Sequence, residues 1–320
     1  MDEERKYEFA KLLNVLPPVE YCFVYGSTLH SKALNTNSMI DYIIAVRDPF
    51  LWHSENLSVN KDHYASLIMR TGGTRLISAV ADNVGVGVHF NPFVNWNNRE
   101  VKYGVVSTHK LIEDLLNWKS FYLSGRLQKP VILLTDNEDV KNANCLNLRA
   151  AVAAALLLLP ESFSQDELYS RICELSYMGD LRMLFAEDKQ KVRKIVDGQF
   201  GLFRSLYKPF LEEFRSTELL NFSSLNNETM KMTQDCGVTA TRSLVESLPP
   251  LVRRRISDSL GREKRVSGCR VGTANCVKNI IKRRVMISSG RQAVAGVLAA
   301  GGLNALRYLC AKMVKASKSR

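Results

Sequence analysis

Apolar positions follow two different rhythms along the chain. Up to residue 135 they come in short runs broken by turn residues. Tyr21-Cys22-Phe23-Val24-Tyr25 and Tyr42-Ile43-Ile44-Ala45-Val46 are aromatic and β-branched runs that predict strands, ending at Gly26-Ser27 and at Asp48-Pro49. Residues 84–94, with Gly85 and Gly87 among valines, and 101–107 predict two more strands, joined as a hairpin through Asn97-Asn98. Between them the spacing predicts helices over 7–16, stopped by Pro17-Pro18, and around 52–56 and 64–69. Leu111, Ile112, Leu115, Leu116 and Trp118 recur at helical spacing over 108–123, and 130–134 predicts a last short strand. The first 135 residues therefore read as a mixed α/β sheet domain.

After Asp136 helical spacing dominates. An Ala/Leu helix is predicted over 147–159, and Ser164-Gln165-Asp166-Glu167 has the N-cap signature of the next one. Short strands around 176–183 and a helix over 188–206 complete a winged-helix-like pattern, assigned to 136–260; residues 214–270, rich in Ser, Thr and Asn, read as loosely structured.

Charge adds a third region. Residues 261–320 hold fourteen Lys/Arg and one acid, Glu263, a local +13 in a chain of net +12, so residues 1–260 carry −1. Such a tail seeks an anionic surface. Val294, Val297, Leu298, Leu303, Leu306 and Leu309 stand among these basic residues, which predicts an amphipathic membrane-associating tail. No apolar run reaches the eighteen residues needed to span a bilayer. The acidic start, Met1-Asp2-Glu3-Glu4-Arg5-Lys6, has neither signal-peptide nor transit-peptide character. Seven scattered cysteines without a CxxC pair suit a reducing compartment and argue against zinc.

The candidate chemistry lies where the first strand meets Gly26-Ser27 and Asp41 opens the second strand. In the polymerase-β-like nucleotidyltransferases a Gly-Ser turn cradles a triphosphate while acids on the adjacent strand hold Mg²⁺. Those enzymes normally carry Asp-x-Asp, whereas here Met39 stands at the earlier position and only Asp41 remains.

Beyond this motif, a series of blocks runs in order over more than half the chain. They include Tyr25-Gly26-Ser27, Ile40-Asp41-Tyr42, Trp52-His53-Ser54-Glu55-Asn56, His63-Tyr64 and Lys102-Tyr103-Gly104. Asp114-Leu115-Leu116-Asn117-Trp118, Gly125-Arg126-Leu127-Gln128-Lys129-Pro130 and Tyr177-Met178-Gly179-Asp180-Leu181-Arg182 follow. In these blocks the chain resembles the mitochondrial phosphatidate cytidylyltransferases. That resemblance implies a reaction of CTP with phosphatidate giving CDP-diacylglycerol for cardiolipin and phosphatidylglycerol synthesis, with Mg²⁺, peripherally on the matrix side of the inner membrane. Under it, Asp41 is expected as metal ligand and, with Lys102, as catalytic residue. Tyr25, Gly26, Ser27, His53, Arg126 and Lys129 are expected at the nucleotide, and His63, Asp180 and Arg182 at the substrate phosphate. No nucleic-acid partner is expected. The alternatives from the residues alone are a nucleotidyltransferase acting on nucleic acid, or a non-catalytic membrane-bound assembly factor.

Overall fold

A computed structural model describes residues 2–26, 29, 39–180, 190–223, 230–262 and 270–300. Five strands form the first sheet: β1 (Tyr21–Tyr25), β2 (Ile40–Val46), β3 (His89–Trp96), β4 (Arg99–Ser107) and β5 (Ile132–Thr135), in the order β3-β4-β2-β1-β5. Only β2 and β4 run parallel; the other pairs are antiparallel. Central β1 and β2 are buried on both faces, which explains why their sequences are nearly continuous apolar runs without alternation. The β3–β4 hairpin turns where expected, because Asn97 (φ 49°) and Asn98 (φ 59°) both tolerate the left-handed conformation of a two-residue turn. The sequence reading began this strand too early: residues 80–84 form a π-helical turn, and Gly87 (φ 83°) completes the bend into β3.

One face of the sheet packs on helix α1 (Asp2–Ala10), the 3₁₀ turn that follows it, and α2 (Pro49–Val59), whose first turn is capped by the Asp48 carboxylate. Short helices α3 (Ser66–Thr71) and α4 (Gly73–Ala79) lie beside α2. The opposite face packs on α5 (Thr108–Asn117), α6 (Ser124–Leu127) and the first turns of α7 (Glu138–Leu158). Trp118 (φ 50°) ends α5 in the left-handed region, six residues earlier than its apolar spacing suggested.

The second body is built round α7, whose residues Ala150–Leu157 are all buried. Around it lie α8 (Gln165–Leu175), α9 (Lys191–Ser216), α10 (Val238–Glu246) and α11 (Pro250–Arg262). A small sheet of β6 (Ser162–Ser164), β8 (Lys231–Gln234) and β7 (Leu220–Asn221) closes one side. The predicted capping box at the start of α8 is present: Glu167 N–H donates to Ser164 Oγ at 3.1 Å and Ser164 N–H to Glu167 Oε2 at 2.7 Å. Strands expected at 176–183 are not found in the described part, residues 176–180, which forms a turn. The supposedly loose 214–270 stretch holds β7, β8, α10 and α11.

The largest difference concerns the C-terminal region. Helix α12 (Arg270–Ala299) is docked on the body rather than separate from it, so the boundary expected at 261 does not divide the fold. Val277, Ile280, Ile281 and Val285 enter the core around α7. Buried Arg284 donates to the carbonyls of Asn117, at 3.0 Å, and Trp118. Gln292 Nε2 donates to the Val88 carbonyl at 3.2 Å. Buried positions recur every third or fourth residue from Thr273 to Ala299, while Lys278, Lys282, Arg283 and Arg291 stay outside, a division that charge counting alone could not make. Residues 301–320, with Leu303, Leu306 and Leu309, lie outside the described residues.

Candidate active site

Asp41 sits between Tyr25 and Lys102 in the strand register, so the three side chains emerge on the same face at one end of the sheet. Lys102 Nζ lies 3.7 Å from Asp41 Oδ1, and both side chains are 26% exposed, open enough to meet a ligand. The Lys102 ammonium also stands 4.4 Å above the Phe90 ring. Gly104 makes this possible: Phe90 pairs with it across the hairpin, and a Cβ there would come within 2.5 Å of the ring. The Lys102-Tyr103-Gly104 block thus combines a cation and a ring-sized gap on one face with a tyrosine on the other.

Gly26 ends β1 with φ 99°, and a Cβ at this position would lie 3.0 Å from Asp41 Oδ2. The glycine is needed both for the left-handed turn and for the space beside the carboxylate. Ser27, the next residue, lies outside the described residues.

Arg126 arrives from α6. Its guanidinium lies 3.6 Å from the centre of the Tyr122 ring and 5.3 Å from that of Tyr25, and it donates to the Tyr122 carbonyl. What holds this loop is Asp114. Its buried carboxylate accepts from Ser120 N (2.7 Å) and Oγ (2.8 Å), Phe121 N (3.0 Å), Leu123 N (3.0 Å), and Ser124 N (3.0 Å) and Oγ (3.1 Å). A carboxylate so fully bonded repays its burial and fixes the path to α6. Burial pushes the Tyr25 hydroxyl up from its ordinary range; Asp41 adds to the shift, while Arg126 and Lys102 oppose it. Those opposing influences show that all four groups share one field.

Lys129, one turn beyond Arg126, donates to Ser176 Oγ at 2.7 Å and to the Gly125 carbonyl, and stands 5.3 Å from the Tyr177 ring. Lys191 approaches the same ring at 5.2 Å. Lys129 therefore marks the seam between the two bodies. Asp180 is buried just after the Tyr177 turn, and Arg182 lies outside the described residues.

The two histidines occupy a different place. His53 and His63 are buried on the opposite face of the sheet, in a network centred on Tyr103. The Tyr103 hydroxyl accepts from Asn56 Nδ2 and Asn91 Nδ2, each at 2.9 Å, and lies 2.9 Å from His63 Nδ1. The Tyr64 hydroxyl accepts from Asn56 Nδ2 at 2.8 Å and lies 2.8 Å from His53 Nδ1. Burial holds all three imidazoles below their ordinary range, His89 at about 4, and the neighbouring His89 ring adds to the shift of His53. The histidines expected at the nucleotide and at the substrate phosphate are thus separated from Asp41 and Lys102 by the sheet itself.

Sequence reasoning assigned no role to Tyr122, Phe90 or Asp114, although the structure makes each a support of the cluster. Asp114, an acid on an apolar helical face six residues before Ser120, was the readable signal. Among the described residues no group of three or more His, Cys, Asp or Glu could hold a metal by itself.

Half-open cations beside a carboxylate suit phosphorylated ligands, which places the molecule among the α/β enzymes that handle phosphate groups. Comparison with known sequences narrows this. A family profile described as phosphatidate cytidylyltransferase, mitochondrial, matches residues 9–315, and the chain belongs to that family. A bovine (Bos taurus) protein of that name is 37% identical over 96% of this chain and 93% of its own length. One from Schizosaccharomyces pombe is 32% identical over 100% and 86%. A human (Homo sapiens) protein of the same name is 45% identical over 64% of this chain; the aligned part covers 46% of that relative.

Proposed function

We propose that the chain transfers the cytidylyl group of CTP to phosphatidate, giving CDP-diacylglycerol and pyrophosphate. The observation that carries this reading is the convergence of Gly26, Asp41, Lys102 and Arg126 at one sheet end in a member of this family. A phosphatidate oxygen attacks the α-phosphorus of CTP, and the bond from that phosphorus to the bridging oxygen of the β-phosphate breaks. The attacking phosphate monoester is already an anion at neutral pH, its second pKa being about 6, so no strong base is needed. Lys102 and Arg126 meet the phosphate charge, and the turn at Gly26 and Ser27 lines the triphosphate through backbone N–H groups and the serine hydroxyl. Lys129 binds a nucleotide phosphate at the seam, and Asp180 and Arg182 are assigned to the phosphate of the lipid substrate.

Asp41 would hold Mg²⁺. With no metal-binding cluster of three side chains among the described residues, the remaining ligands would be phosphate oxygens and water, the habit of this ion. The ion would supply neutralisation of charge on the phosphates. We read the first body as polymerase-β-like and the second as winged-helix-like. The protein works peripherally on the matrix side of the inner membrane. In support, none of the described helices is long and apolar enough to cross a bilayer, and α12 leaves Met286, Ile287, Val294 and Leu298 exposed. Incubation with labelled CTP, Mg²⁺ and phosphatidate should yield a lipid-soluble cytidine product, and its absence would overturn the assignment. Ser27→Ala should weaken CTP binding by about 1–2 kcal/mol in a titration; unchanged affinity would remove the hydroxyl from the cradle.

A further inference from the structure

At the far end of the first sheet, α5, α12 and the bend before β3 enclose a cavity of about 340 Å³. Six cationic side chains line it against three carboxylates. Most are committed to the fold. Lys110 Nζ pairs with Asp82 at 2.5 Å and Lys119 Nζ with Glu113 at 3.0 Å. The Asp114 carboxylate is consumed by its loop. Arg291 donates to the carbonyls of Val84, at 2.9 Å, and Asn83, at 3.0 Å, while Arg284 caps the end of α5. Two guanidinium groups remain, Arg255 on α11 and Arg283 on α12, and neither has a hydrogen bond or ion pair among the described residues.

We propose that this cavity is a second anion site that binds a phosphate group, presented by an acidic phospholipid headgroup or as free phosphate. Each of these guanidiniums carries the planar fork of N–H donors that phosphate oxygens accept, and both line one concavity. Burial and the nearby Arg255 charge hold Arg284 down to about 10, with Asp114 opposing the shift, as expected where cations outnumber carboxylates. Ile287 also lines the cavity and is 47% exposed, so an apolar side chain adjoins the cationic pocket, as a headgroup with acyl chains would require. The site is separate from the Asp41 cleft: from Lys102 to the end of β4 at Ser107 the strand rises about 17 Å.

The test compares the full chain with the Arg255→Gln/Arg283→Gln double variant by calorimetric titration. One probe is inorganic phosphate; the other is a water-soluble short-chain phosphatidylglycerol, a phosphodiester that avoids the surface attraction a vesicle would exert on the basic C-terminal residues. Both substituted side chains are exposed, so the thermal midpoint should hold. If it does not, Arg255→Lys/Arg283→Lys, which keeps the charges and loses the fork, takes its place. Weakening by roughly tenfold or more for both probes supports a free-phosphate site, and weakening for the lipid alone supports a headgroup site. Equal binding by wild type and variant, or binding of neither probe to the wild type, overturns the proposal.

Discussion

On β4, Lys102 and Tyr103 are neighbours in sequence and belong to two unlike environments. Lys102 shares its face with Asp41, Tyr25 and Arg126, where charges are a quarter exposed and cations outnumber the carboxylate. Tyr103 points into a dry network of hydroxyls, amides and three imidazoles kept uncharged by burial. Both faces are rich in residues that carry chemistry elsewhere. Access separates them: Asp41 and Lys102 on the first face are partly open to a ligand, whereas the groups on the second are buried against each other. Polar residues in a distinctive block are thus as apt to build the platform as to use it.

The comparison breaks most visibly at Asp41. Asp41→Asn keeps the shape and removes the charge, so turnover of CTP and phosphatidate should fall by about a thousandfold or more, with the thermal midpoint within a degree or two of wild type. Retained turnover would return Asp41 to the scaffold.

The buried face should respond to pH. His89 has its folded pKa lowered from 6.5 to about 4, so its unfolded form binds more protons anywhere between these values. Stability conferred by the neutral ring is complete above about 6.5 and declines as pH falls toward about 4, by about 3 kcal/mol for this one group. Denaturant melts across that window should show the decline, and His89→Phe should lessen its slope, with His53 and His63 keeping their share. An equal slope in the variant would place the titration elsewhere.

Tyr103→Phe strips one hydroxyl from three partners and should destabilise by about 2–3 kcal/mol while leaving KM for CTP unchanged. A changed KM with an unchanged midpoint would show that the two faces communicate. The smallest effect is expected from Gly26→Ala, about 1–2 kcal/mol from the left-handed φ. Because the new Cβ presses on Asp41, kcat should fall as well; an unaffected kcat would mean that the carboxylate moves aside at no cost.

Much of this was legible in advance, and the residues show why. The strands at Tyr21 and Tyr42, the Asn97-Asn98 turn and the Ser164 capping box rest on local chemistry, and all were readable. Gly26, Asp41 and Lys102 could be placed together because two of them end or begin strands whose pairing the motif implies. His53 and His63 could not be placed, since which side of a sheet a helix covers depends on the connection from β2 to β4 and not on the helix sequence. The Arg126 loop was hidden for a similar reason: its geometry is written in six hydrogen bonds to an acid on another element. The docking of α12 was masked by the basic residues on its outer side.

That helix also sets a timetable. Gln292 bonds to Val88 across 204 positions of chain, and Arg284 to Trp118 across 166. At synthesis rates of about 5–20 residues per second, the bend before β3 waits roughly 10–40 s for the strap that finishes it. During that interval the nascent chain presents unpaired carbonyls and a bare apolar strip along α7, a surface on which holding chaperones act. A message cut short before the codon for Arg284 would therefore release an unfinished sheet domain, not a smaller working one.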